Sequence, residues 1–174
     1  KVLKVIVSSR SPKVKLYLND KLIGEKETGK ENYTATFDVP YEPGTLKAVN
    51  SKGKEEFVLK TAGAPAAIRL IADRSKIKAC KNDLSYVKIE LVDKNGNVVP
   101  ETSLPVKIEC TGKGTVIAGG NAAYADMESF RSLTPNTFRG KAIAIVQPDG
   151  EKGDIQVKVS AKGLEDASIV ITTY

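Results

Sequence analysis

Hydrophobic and polar residues alternate along most of the chain, which is the pattern of half-buried β-strands. The apolar side chains of Val87, Ile89 and Leu91 share one parity, and Lys88 and Glu90 share the other. We therefore expect one face of this strand in a core and the face with Lys88 and Glu90 in water. The Asn95-Gly96 pair that follows offers the two residues that most readily take positive φ, so it predicts a tight hairpin turn.

The same two-residue period predicts an all-β chain, because no segment carries an apolar helical stripe over three turns. The strands predicted in the first part are residues 2–7, 14–18, 21–24, 33–39, 45–50 and 55–60. The strands predicted in the second part are residues 67–72, 75–79, 86–92, 104–111, 115–118, 138–147, 154–161 and 167–173. Strands that recur every ten or so residues, with Gly, Pro and Asn between them, are typical of a β-sandwich.

Small residues followed by Pro65 mark the border between the two parts, since proline cannot donate to a strand ladder. The sequence therefore predicts two serial β-sandwich domains, residues 1–62 and 63–174. The segment 142–146 is apolar on both parities, which predicts a central strand covered by loops or by the neighbouring domain. The longest irregular stretch is 119–137, and long ordered loops of compact domains are often functional.

Composition is that of a folded protein, with 41% hydrophobic and 28% charged residues. No apolar run approaches the roughly 20 residues of a transmembrane helix, so no membrane span is predicted. The chain begins directly on a strand-like segment, which we interpret as a piece of a longer protein. The formal charge of +6 comes almost entirely from lysines interleaved with glutamates, which predicts solvated strand faces and no nucleic-acid partner.

Cys80 and Cys110 allow one disulfide at most. Cys110 has the parity of the apolar side chains before it, whereas Cys80 lies where a strand gives way to a turn. Free thiols are favoured, and a bridge stays open.

The chain has no histidine, which removes the usual general base, the Ser-His and Cys-His pairs and most zinc sites. Residues 93–97 copy the opening of a calcium loop, but the glycine is at the fourth place and Leu104 stands where a bidentate Glu is needed. No metal and no cofactor are therefore predicted. Asp126 and Glu128, in the long loop, are the one carboxylate pair worth testing for acid and base chemistry.

Glycan-binding sandwiches use flat aromatic platforms, and this chain has no Trp, six Tyr and four Phe. Tyr124 and Phe130, in the long loop, are the best candidates for such a platform. Together with Asp126, Glu128 and Arg131 they form the candidate surface for contact with a glycan or with another domain.

Two motifs of the first part resemble a known module. They are VKLYLNDKLIG at residues 14–24 and DVPYEPGTLKAV at residues 38–49. Both are similar to the module that follows the catalytic barrel in many bacterial glycoside hydrolase family 2 enzymes of the β-galactosidase type. Asp20 stands where that family's hairpin has glycine, so we expect Asp20 to take a positive φ less readily than glycine would.

The second part resembles the immunoglobulin-like module that usually comes next in those enzymes. The motifs that carry this likeness are APAAIRL at 64–70, DLSYV at 83–87, VDKNGNVVP at 92–100, GGN at 119–121, ESF at 128–130 and FRG at 138–140. The loop after Asn121 departs from the family pattern.

The resemblance implies that both sandwiches, residues 1–62 and 63–174, are immunoglobulin-like. It also implies a β-galactosidase-like parent enzyme whose acid and nucleophile are glutamates on a (β/α)₈ barrel outside this chain. The chain is then a non-catalytic part that braces or positions that barrel, its partner in the same polypeptide. Family analogy also implies a periplasmic, secreted or cell-surface location. A carbohydrate-binding module and a stalk segment of a bacterial adhesin are the alternatives.

Overall fold

The protein, described for residues 1–174 by a computed structural model, consists of fourteen β-strands and no α-helix, which confirms the predicted all-β class. The chain divides into two units, Lys1–Thr61 and Ala62–Tyr174. The sequence places its predicted border between residues 62 and 63. The structure contains no helix with the length and apolar character needed to cross a bilayer.

The first unit contains six strands arranged in two sheets. They are β1 (Val2–Ser8), β2 (Lys13–Leu18), β3 (Lys21–Glu27), β4 (Thr34–Pro40), β5 (Thr45–Asn50) and β6 (Glu56–Lys60). Strands β1 and β4 form an antiparallel pair, and the other four form a sheet in the order β3-β2-β5-β6. The core between the sheets consists of six buried side chains: Val14, Leu16, Leu18, Ala35, Phe37 and Val39.

The second unit contains eight strands in two four-stranded sheets. They are β7 (Ala67–Ala72), β8 (Lys76–Ile77), β9 (Ser85–Val92), β10 (Val106–Gly112), β11 (Gly114–Gly120), β12 (Lys141–Pro148), β13 (Gly153–Ala161) and β14 (Ala167–Thr173). One sheet has the order β10-β13-β14-β8 and the other β11-β12-β9-β7. Apolar side chains of one parity from each main strand meet between the sheets, as the alternation predicts.

The turn between β2 and β3 confirms the prediction for Asp20. Asn19 and Asp20 both take left-handed backbone conformations, with φ of 49° and 63°. Two successive residues with positive φ form the turn whose twist matches a two-residue hairpin. Asp20 therefore performs the role of the family's glycine, at some conformational cost.

The turn after β9 differs from the prediction, because only Gly96 takes a positive φ, of 79°. The Gly96 N–H donates to the Asp93 carbonyl at 2.9 Å, and the Asp93 N–H donates to the Asn97 carbonyl at 2.8 Å. This is a three-residue loop closed by one left-handed glycine. The Asp93 carboxylate accepts the backbone N–H groups of Asn95 and Asn97 at 2.9 Å each, so this side chain stabilises the turn.

Two predicted strands are shorter than the pattern indicates. Residues 75–79 form only the two-residue strand β8, and residues 138–140 lie before β12. Residues 138–140 form a turn because Arg139 and Gly140 take φ of 51° and 71°. The Phe138 N–H closes this turn by donating to the Lys141 carbonyl at 2.8 Å. Because β11 ends at Gly120 and β12 begins at Lys141, the irregular stretch is 121–140.

Two predictions about exposure are wrong. Glu90 is only 3% exposed, although its parity places it on the wet face of β9. Arg69 on β7 and Lys141 on β12 lie directly opposite Glu90 on its two sides, so long cationic side chains cover it. Ile143, expected under a loop or the other domain, is 38% exposed on the outer face of β12. The two cysteines are free thiols, as favoured.

Candidate functional site

The long loop of unit 2, residues 121–140, is organised by the side chain of Asn121. Its Nδ2 donates to Asp126 Oδ2 at 2.6 Å and to the Asn136 carbonyl at 2.9 Å. Its Oδ1 accepts the Ala123 N–H at 2.7 Å. One amide therefore connects the start, the middle and the end of the loop, which gives the loop a defined conformation.

The two carboxylates singled out as an acid and base pair both stabilise this loop. Asp126 Oδ1 accepts the Glu128 N–H at 2.9 Å. That bond and the bond from Asn121 hold the pKa of Asp126 below its ordinary value, so Asp126 is a poor general acid. Glu128 accepts the Ser132 hydroxyl at 2.8 Å. Both side chains form hydrogen bonds within the loop, and the cavity that both of them line has a volume of only about 20 Å³.

Residues 130–133 of the loop lie beside β11 and β10, which are edge strands of the two sheets of unit 2. The Gly119 N–H donates to the Phe130 carbonyl at 2.8 Å, and the Ile108 N–H donates to the Leu133 carbonyl at 2.8 Å. The Phe130 ring lies over Gly120, where a Cβ would approach the ring to 2.7 Å. A side chain at position 120 would therefore have to displace this ring.

The tip of the loop is apolar and lies in water. Tyr124, Met127 and Phe130 are 100%, 95% and 70% exposed. We call these three side chains the loop tip. The Arg131 side chain is also exposed and makes no hydrogen bond or ion pair. The cavity under the loop has a volume of about 20 Å³, which is room for about one water molecule and excludes a sugar ring.

A second surface of unit 2 was missed by the sequence reasoning. It is an open groove of about 660 Å³ on the outer face of the sheet β11-β12-β9-β7. We call it the basic groove, and the side chains that define it are Lys88, Asn121, Phe138, Arg139, Lys141 and Ile143.

A buried carboxylate lies beside this groove. Glu90 Oε2 accepts Arg69 Nε at 2.8 Å and Nη2 at 2.6 Å, and Glu90 Oε1 lies 3.3 Å from Lys88 Nζ and 3.9 Å from Lys141 Nζ. Burial raises the pKa of Glu90, but the bonds from Arg69 and Lys88 outweigh it, so the pKa lies below its ordinary value. Glu90 is therefore ionised at neutral pH.

The turn before β12 forms one wall of the groove. A Cβ on Gly140 would overlap the carbonyl oxygen of Val99, so this position requires glycine. The Arg139 guanidinium lies over the Phe138 ring, 5.4 Å from its centroid. Such stacking is a favourable cation–π contact. The FRG motif at 138–140 is the sequence signal that marks this wall, although spacing alone does not show what faces it.

No group of three or more His, Cys, Asp or Glu side chains is arranged to hold a metal ion. The nearest motif, at residues 93–97, uses its carboxylate for backbone N–H groups. The Gly63 N–H bond is the largest of several that lower the pKa of Asp93 to about 2.

Comparison with known families decides the relationship of the chain. Residues 68–170 match the model described as "Glycoside hydrolase family 2 C-terminal domain 5". The chain belongs to this family. Residues 1–57 match a second model, described as "Domain of unknown function (DUF4982)". The resemblance to the C-terminal modules of family 2 glycoside hydrolases is thereby confirmed.

Similar curated proteins include a β-galactosidase and a β-glucuronidase. A β-galactosidase named BoGH2A from Bacteroides ovatus is 32% identical over 167 residues, which are 94% of this chain and 20% of that protein. A β-glucuronidase from Formosa agariphila is 28% identical over 171 residues, which are 95% of this chain and 17% of that protein. The chain thus spans about a fifth of the length of these relatives.

Solved structures agree with this family 2 relationship. A glycosyl hydrolase family 2 member from Bacteroides cellulosilyticus superimposes with a TM-score of 0.94 and is 36% identical, covering 100% of this chain and 23% of that one. A β-glycosidase from Bacteroides vulgatus gives a TM-score of 0.92 at 26% identity, covering 99% and 23%.

Proposed function

We propose that this chain is a non-catalytic C-terminal region of a β-galactosidase-like family 2 glycoside hydrolase. In this role it braces or positions the catalytic (β/α)₈ barrel of the same polypeptide during glycan breakdown. The names of the relatives and the fifth of their length that the chain spans support a glycosidase parent.

The chemistry of the carboxylates supports a non-catalytic role. A glycosidase needs one protonated acid and a second carboxylate facing the same sugar. The pKa of Asp126 is lowered by its bonds to the Glu128 N–H and to Asn121, and Glu128 accepts Ser132. Glu90, the one deeply buried glutamate, is paired with Arg69 and has a lowered pKa.

The observation that carries the bracing role is the loop tip. Its three large apolar side chains are 70% to 100% exposed on a loop that its own hydrogen bonds hold in one conformation. An ordered apolar projection is costly to leave in water, and such features mark interaction surfaces. We infer that the loop tip packs against the rest of the parent polypeptide.

This role is tested with the combined change Tyr124→Ser, Met127→Ser and Phe130→Ser. In the complete polypeptide we expect a lower Tm of the catalytic part and a lower kcat/KM. In the 174-residue chain alone the same change should leave the Tm within about 2 °C, because the three side chains are exposed there. An unchanged Tm and an unchanged kcat/KM in the complete polypeptide would contradict bracing by this loop.

Carbohydrate binding by the loop is the second candidate, since Tyr124 and Phe130 are exposed aromatic rings. The side chains of Asp126, Glu128 and Arg131 in the same loop could add hydrogen bonds to the hydroxyl groups of a sugar. Titration with galactosides, followed by tyrosine fluorescence, separates the two roles. A brace gives no saturable change, whereas a glycan platform gives one that Tyr124→Ala removes.

For location, we propose the periplasm, the secreted fraction or the cell surface, by analogy with the family. Fractionation of cells that produce the complete polypeptide tests this, and recovery with cytosolic markers would contradict it.

The stalk alternative predicts further copies of the same sandwich in the complete polypeptide, whereas the proposed enzyme predicts a barrel before Lys1.

A further inference from the structure

The basic groove has an excess of positive charge. Lys88, Arg139 and Lys141 line it, and none of the lining residues is acidic. Glu90, the carboxylate beside them, is 3% exposed and already receives two bonds from Arg69. The two lysines and Arg69 therefore share one negative charge, and the charge of Arg139 has no acidic partner.

The guanidinium of Arg139 has all its hydrogen-bond donors unused. This group makes no hydrogen bond and no ion pair, and it stacks on the Phe138 ring. The backbone of Arg139 has a φ of 51°, which is uncommon for a residue with a long side chain. A planar guanidinium with free donors is suited to bidentate contact with a carboxylate or a sulfate.

The remaining walls suit a sugar ring. Ile143, which is 38% exposed, and the exposed Pro100 provide apolar surface. A volume of about 660 Å³ lies within the usual range for small-ligand sites, roughly 300 to 1,000 Å³. Apolar surface for ring carbons next to cations for an acidic group is the combination that an acidic sugar requires.

We propose that the basic groove binds an acidic glycan, a saccharide that carries a carboxylate or a sulfate ester. Arg139 and Lys141 contact the anionic group, and the surface around Ile143 contacts the ring. The choice of a glycan over other anions rests on the proposed function, but the site is separate from the loop tip. Acidic segments of a protein are the competing occupant.

The test uses the 174-residue chain and amide NMR titration with four probes. They are a galacturonate tetrasaccharide, a sulfated galactan tetrasaccharide, uncharged galactotetraose and a hexaglutamate peptide. We expect saturable shifts of the amides around Phe138–Ile143 with one or both acidic saccharides, which also identifies the preferred anionic group. Galactotetraose and hexaglutamate should bind at least about tenfold more weakly, because each lacks one of the two kinds of contact.

Substitutions in the groove complete the test. Arg139→Gly, which suits the left-handed backbone, and Lys141→Gln should each weaken the acidic saccharide about tenfold, the effect of losing a charge-assisted hydrogen bond. Arg10→Gln removes the same charge from an exposed site in unit 1 and should leave binding unchanged. No saturable shift with either acidic saccharide, equal binding of hexaglutamate, or an equal effect of Arg10→Gln would overturn the proposal. Each of these results leaves the bracing role, which is measured by Tm, untouched.

Discussion

The two units follow the same alternating pattern but close their cores to different degrees. In unit 2 two four-stranded sheets face each other, and core side chains such as Val87, Ile155 and Val157 are fully buried. In unit 1 a pair of strands covers a four-stranded sheet, and Phe57 and Leu59 on β6 remain 68% and 55% exposed. These two side chains line an open cavity of about 250 Å³ that reaches the core residue Leu16.

The difference teaches that strand pattern specifies the fold, whereas coverage of the sheets sets the margin of stability. A small domain buries a smaller fraction of its surface and has less stability in reserve. Unit 1, with 61 residues and six buried core side chains, should therefore tolerate damage less well than unit 2.

Removal of one core side chain from each unit should give the largest effect. Phe37→Ala costs about 3–5 kcal/mol and Ile155→Ala about 2–5 kcal/mol. We expect Phe37→Ala to unfold unit 1 and Ile155→Ala to leave unit 2 folded with a lower urea midpoint. NMR amide signals assigned to each unit report the outcome. A folded unit 1 in Phe37→Ala would contradict the difference in margin.

Glycine substitutions sharpen the comparison at the level of the turns. Gly140→Ala combines a φ of 71° with overlap on the Val99 carbonyl, and Gly53→Ala has a φ of 66° with open space around it. We expect losses of about 3 kcal/mol and about 1 kcal/mol in the free energy of unfolding of units 2 and 1. Urea unfolding measures both, and equal losses would show that packing around Gly140 is unimportant.

Ion pairs provide a third contrast between the units. Glu90→Gln in unit 2 weakens a buried pair with Arg69 and should cost about 1–3 kcal/mol, because one partner is partly exposed. Glu25→Gln in unit 1 removes a surface pair with Lys15, 3.8 Å apart, and should cost less than about 0.5 kcal/mol. Thermal unfolding of the two variants checks the ranking, which a larger effect at Glu25 would reverse.

A pH titration should give the smallest effect. The pKa of Asp93 in the folded state is about 2, below the ordinary value of about 3.9. The free energy of unfolding that the ionised Asp93 carboxylate contributes is therefore present above about pH 4 and is lost as the pH falls towards 2. We expect Asp93→Asn to flatten the acid limb of the stability curve of unit 2. Identical acid limbs for wild type and Asp93→Asn would be inconsistent with this role.

The strands were predictable because each side chain's parity depends only on local sequence. Val87, Ile89 and Leu91 point to the core as expected, and Asp20 takes its positive φ. The burial of Glu90 was not predictable, since it depends on Arg69 and Lys141, 21 and 51 residues away along the chain. The turn at Arg139 was also missed, because few arginines take a left-handed backbone.

The candidate site also has one part that was predictable from the sequence and one part that was not. Sequence identified the long loop and its exposed Tyr124 and Phe130, because length and composition are local properties. The basic groove was missed, since it forms only when β9, β12 and the ends of two loops meet. Lys88, Asn121 and Arg139 have no shared spacing that would reveal their proximity.

The central claim is that this chain is a non-catalytic part of a larger glycosidase. Release of nitrophenol from nitrophenyl β-galactoside, measured side by side for the 174-residue chain and for the complete polypeptide, tests it most directly. We predict turnover by the complete polypeptide and none by the chain. Turnover by the chain alone that Asp126→Asn or Glu128→Gln abolishes would contradict the account.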